Sequence, residues 1–230
     1  MENHDLRVLT YNPFPDIETN GSNYELSLKS PNTYMELPFY QTRETLINVE
    51  DYKKFLDNAI SRFRSSRTYK NYKSYLMSLG LDHCQFMSNI NSEMAKIEMH
   101  HNVLTVFDLA VIITEHVINT IGYISTFQLV EILKYEHTHN RVQVVMLTET
   151  AHQLFHSDPD FFIHPNMCFG CWWEFLSRYR FGITRDIAYK VINYLKRAEE
   201  ENKSFDNNLL NIRDDILDWS YQNEFLSGGY

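Results

Sequence analysis

The chain has 230 residues, a formal charge of −9 and 43% hydrophobic content, enough to bury a core without disulfide or metal staples. A sequence pI near 5.5 excludes a broadly basic surface that coats nucleic acid nonspecifically and leaves only local patches for that role. With three cysteines, no charged-then-apolar leader after Met1 and no apolar run near the ~20 residues of a bilayer span, the expectation is a reducing, cytoplasmic compartment and no membrane contact.

Residues 1–47 read as an extended arm. Asn, Pro, Ser and Thr cluster at Asn12-Pro13-Phe14-Pro15 and Asn20-Gly21-Ser22-Asn23, and only short stretches such as Tyr34-Met35-Glu36-Leu37 look extended. Residues 48–82 read as a helical segment. Asn48 is a plausible N-cap, Tyr52, Phe55, Leu56, Ile60 and Phe63 fall at helical spacing to about Ser65, and a second helix runs from about Thr68 to Leu79, ended by Gly80. These helices hold the one basic region of the chain, including Arg62, Arg64, Arg67, Lys70 and Lys73, which serves either as a solvated face or as a nucleic-acid contact.

Residues 84–101 have the pattern of a hairpin, Cys84-Gln85-Phe86-Met87 pairing across a polar turn with the strand that ends in His100-His101. Helices over Val106–Thr120 and Thr126–Tyr135 follow, divided by Gly122. Arg141–Leu147 has strand character, and Thr148 starts a short helix over Ala151–His156. The tail, residues 166–230, is helical near Trp172–Tyr179, Thr184–Glu201 and Asn208–Tyr221. The fold class expected is α+β.

His152 and His156 lie one helical turn apart on one face, so both rings can converge on one ion. The doublet His100-His101 closing a strand supplies further imidazoles, and neutral imidazole is the commonest metal ligand. A bland alternative is that these histidines only hydrogen-bond or pack locally.

Ile97-Glu98-Met99-His100-His101 and the run from Val144 to His156 together resemble the two ends of the HNH (ββα-metal, His-Me finger) motif. A histidine pair ends a strand and a helix carries H-x-x-x-H, as in the nuclease domains of DNase colicins and in many phage HNH proteins. The resemblance covers about a quarter of the chain and implies a ββα-metal core within residues 83–165. It implies His100, His152 and His156 as metal ligands, His101 as general base and Gln143 in the place of the family asparagine that holds the base through its backbone. Asn140 is close enough to substitute for Gln143. Strict strand alternation puts His101 with Ile97 and Met99 and His100 with Glu98, so the ligand and base roles of the doublet remain exchangeable. The interval from His101 to Gln143 is longer than in the family and holds a helical insertion.

By this resemblance the chain is expected to be a phage-encoded, metal-dependent endonuclease acting on DNA, with RNA as the alternative substrate. Its cofactor would be Mg²⁺, Mn²⁺ or a transition metal, with Zn²⁺ as cofactor or inhibitor. The alternative is a degenerate HNH-like module with a structural or host-protein-binding role, and a third reading is a hydrolase of small phosphoesters. Glu98 or Glu149 could add an oxygen ligand. Cys168 and Cys171 form a C-x-x-C that could hold structural zinc with His164 or with His83 and Cys84, but read mainly as small buried residues. His116, His137 and His139 are expected in the core or in solvent, the last two close enough to the strand to line the site.

Overall fold

Helix boundaries follow the local capping chemistry. Asn48 Oδ1 accepts from the backbone N–H groups of Glu50 and Asp51 and starts α1 (Val49–Ser65), and the Ser66 hydroxyl oxygen accepts from Tyr69 N to start α2 (Arg67–Ser78). Thr105 with Asp108 and Ser125 with Gln128 form reciprocal capping boxes at the heads of α3 (Val106–Ile121) and α4 (Thr126–Thr138). Gly122, at φ 95°, ends α3 in the left-handed conformation that a side chain disfavours. The computed structural model describes residues 40–158, 160–201 and 206–227. Most of the arm expected over 1–47, including Tyr34–Leu37, lies outside the described residues.

The architecture is α+β: eight α-helices and four short strands among the described residues. Strand β1 (Tyr40–Thr42) pairs antiparallel with β3 (Tyr123–Ser125), which lies between α3 and α4. Strand β2 (Ile97–His101) pairs antiparallel with β4 (Val144–Thr148), setting His100 opposite Val145 and His101 opposite Val144. Helix α5 (Glu149–Ser157) follows β4 directly and completes a ββα unit. Helices α6 (Trp172–Arg178), α7 (Arg185–Glu200) and α8 (Asn207–Ser227) form the C-terminal part.

The expected hairpin over 84–101 is not formed. Residues 84–87 carry no strand, residues 83 and 91 make only a single bridge, and the partner of β2 is β4, more than forty residues on. The reason is visible at Gln85, whose backbone N–H donates to Met146 O while its side-chain oxygen accepts from Met146 N. The segment therefore borders β4 without making a ladder.

Strand β4 is buried along its whole length, which explains its unbroken apolar run. Helix α3 lies deep in the same core, with Leu109, Ile112, Ile113 and Val117 buried. The turn at Arg180–Gly182 packs so closely on α3 that a Cβ on Gly182 would overlap the carbonyl oxygen of Ile112. One cluster of buried apolar residues among the described residues runs from Leu46 through α1 to α4, β4, α6 and α7 to Ile216. Within it, the fully buried Glu136 carboxylate meets Arg141 Nε at 2.6 Å and accepts from the Tyr179 hydroxyl at 2.9 Å.

Candidate metal centre and adjoining cleft

Strand pleating decides the geometry of the site. Consecutive residues of β2 point to opposite faces, so His100 and His101 part company. His100 faces α5, its ring centroid 4.8 Å from that of His152 and 5.2 Å from that of His156. His101 faces α2 and α4, with its Nε2 2.8 Å from His137 Nε2 and its ring stacked at 6.4 Å on Tyr69. Glu98 shares the face of His100, as alternation requires.

On α5 the Thr148 hydroxyl accepts from Ala151 N and fixes the helix start. His152 and His156 then stand one turn apart with their Nε2 atoms 3.1 Å from each other. One ligand atom from each of His100, His152 and His156 lies within 4.8 Å of the others. Among the described residues, this is the one group of three or more His, Cys, Asp or Glu side chains so arranged. In a tetrahedral site with metal–nitrogen bonds of about 2.0–2.1 Å, such nitrogens stand about 3.3 Å apart. Closure needs only side-chain adjustment.

Two observations fit these residues to a cation. His100 Nε2 is buried and has no hydrogen-bond partner, a costly state unless something electrophilic lies before it. The Glu98 carboxylate accepts from His152 Nδ1–H at 2.8 Å, which leaves His152 Nε2 bare and aimed at its neighbour, the arrangement that orients imidazole ligands in metal sites. Burial and the neighbouring His152 and His156 push the His100 pKa down to about 4, so this ring is neutral and able to ligate at pH 7. Lys96 first, and then His152, hold the Glu98 carboxyl below the usual carboxylate range. Glu98 is thus a partner of His152. Glu149, in the first turn of α5, is exposed and lies 4.0 Å from Lys96 Nζ.

The three rings border a cleft of about 550 Å³, whose other walls include Arg64, Tyr69, Lys73 and His101. Of the five basic residues expected to meet nucleic acid, Arg64 and Lys73 line this cleft, Lys73 also donating to Ile97 O at 2.8 Å. Arg62, Arg67 and Lys70 are exposed on α1 and α2 outside its lining. His101 is buried, and desolvation with the nearby His137 sets its pKa well below 6.5.

The side chain of Gln143 does not meet His101. Gln143 donates through Nε2 to the Tyr194 hydroxyl, and its carbonyl accepts from Asn102 N, both at 3.2 Å. Asn140 sits at φ 55° with its carbonyl accepting from Cys171 N. The group that meets His101 is His137, at the end of the helical insertion. His116 packs in the core against Tyr179 and Phe181, while His139 is exposed beside Tyr135. Burial pushes the Cys168 thiol up to about 12, and its sulfur accepts from Asn102 Nδ2. Cys168 and Cys171 are both half-buried, and neither belongs to the one group of three or more potential ligands brought together among the described residues.

The family of bacteriophage G278-like virion proteins matches residues 13–223 of the chain, which therefore belongs to that family. The matching description places the family in the phage particle and assigns it no chemistry. No curated protein and no solved structure matches.

Proposed function

We propose that this phage virion protein carries a metal-dependent endonuclease site of the HNH type, held by His100, His152 and His156 and acting on DNA in the host cytoplasm. The observation that carries the reading is the convergence of those three imidazoles at the edge of a cleft also lined by Arg64, Lys73 and His101. Bound there, Mg²⁺, Mn²⁺ or a transition metal would offset charge on the scissile phosphate and the leaving oxygen. Arg64 supplies a guanidinium suited to a phosphate in the cleft. His101, neutral at pH 7, accepts the proton of the attacking water. Glu98 holds His152 in the ligating tautomer.

A second reading, a non-catalytic role in the particle, is favoured by the family itself. Incubation of the purified chain with plasmid DNA and Mg²⁺, Mn²⁺, Co²⁺, Ni²⁺ or Zn²⁺ separates the two. Cleavage that disappears in His100→Ala and His101→Ala supports the nuclease. A folded chain that binds metal yet leaves both DNA and RNA intact supports the structural role, and hydrolysis of nucleotides alone points to small phosphoesters.

A further inference from the structure

The buried histidine pair on the far face of β2 fixes a proton pattern that can be read bond by bond. His137 Nδ1 lies 2.6 Å from Leu133 O. A carbonyl oxygen only accepts, so Nδ1 carries the hydrogen and the neutral ring presents a bare Nε2. That Nε2 faces His101 Nε2 at 2.8 Å, and two bare nitrogens would repel, so His101 donates. In a neutral His101 the hydrogen is then on Nε2 and the lone pair on Nδ1.

We propose that His137 is the positioning residue for His101, locking it as the Nε2–H tautomer so that Nδ1 is the nitrogen left to take a proton in the cleft. The inference rests on the nuclease reading for its use, though not for its geometry. The lock is rigid because His137 is itself confined. Phe63, Tyr72 and Tyr69 surround it with ring centroids at 4.5, 5.6 and 6.0 Å. Burial keeps the His137 ring neutral, its pKa near 4. As a water O–H bond breaks and an N–H bond forms at His101 Nδ1, the charge arising on His101 is shared through its Nε2–H with the accepting His137 Nε2, much as an oriented acceptor supports a catalytic imidazole elsewhere. The helical insertion between β2 and β4 thereby supplies a side chain for a task that the HNH resemblance implies for the backbone of Gln143.

The test is histidine side-chain ¹H–¹⁵N NMR on the full chain at pH 7, alongside steady-state cleavage kinetics with Mn²⁺. His101 is expected with hydrogen on Nε2 and His137 with hydrogen on Nδ1. His137→Leu is expected to lower kcat by about 10²-fold with KM and Mn²⁺ affinity unchanged, and His137→Gln, which keeps an acceptor, to recover most of the loss. Hydrogen on Nδ1 of wild-type His101, or full kcat in a folded His137→Leu chain, would overturn the proposal. The expected tautomers in a wild-type chain that cleaves nothing would uphold the positioning geometry and overturn the nuclease reading alone.

Discussion

Glu98 Oε2 lies 2.8 Å from His152 Nδ1, while the other carboxylate oxygen lies 2.6 Å from Lys96 Nζ. The carboxylate joins a surface lysine to a ring whose far nitrogen faces His156. It selects the tautomer of His152 and orients that ring toward a cation. Glu98→Ala is therefore expected to weaken Co²⁺ or Zn²⁺ binding about 10- to 100-fold without unfolding the chain. Chelator competition measures this, and unchanged affinity would remove Glu98 from the site.

Acid should destabilise the metal-free protein in a defined window. Burial first, and for His100 also its histidine neighbours, lower the pKa of His100 and His137 from 6.5 to about 4. The folded chain thus binds fewer protons than the unfolded chain once pH drops below about 6.5. Stability from these rings is fully present above that pH and is lost as pH falls toward about 4. The loss is on the order of 3 kcal/mol for the enclosed His137. Thermal melts between pH 7 and pH 4.5 should show it, with a shallower slope in His137→Gln. Equal slopes for the two proteins would contradict the assignment.

The Glu136 network is a stability element separate from the site. Its carboxylate is fully buried, and Arg141 beside it is nearly so. Glu136→Ala leaves an uncompensated buried cation and is expected to cost about 3–5 kcal/mol in urea unfolding at pH 7. A cost below about 1 kcal/mol would mean that water or another group compensates Arg141.

Arg64 lines the cleft and Arg67 does not. In DNA-binding titrations across salt concentrations, Arg64→Ala should reduce the slope of log affinity against log salt by about 0.9, the value for one phosphate contact. Arg67→Ala should change it less. Equal effects from both substitutions would make the basic helices a diffuse surface and not part of a phosphate site.

Much of the fold was legible because its local signals agree. The caps at Asn48 and Thr148 and the stop at Gly122 lie where the residue types place them. The convergence of His100 with His152 and His156 was legible from an i,i+4 pair and a strand-end doublet. Strand pairing was not. Cys84–Met87 has strand-like composition, but β2 pairs with the continuous, fully buried Val144–Leu147 run, a long-range choice that period-2 patterning cannot rank. His137 was also hidden as the partner of His101. It lies thirty-six residues away on helix α4, and only the packing of α4 against α1 and α2 brings the two rings together. The contact of the Gln143 side chain with Tyr194 on α7 was hidden for a related reason, since the two lie far apart along the chain.

Titration of the full, metal-free chain with Co²⁺, followed by visible absorption, tests the central claim most directly. The account predicts one ion per chain, a spectrum of nitrogen ligation, and loss of binding in each of His100→Ala, His152→Ala and His156→Ala, with Cys168→Ala binding as the parent does. An absence of bound Co²⁺, or undiminished binding after His100→Ala, would contradict it.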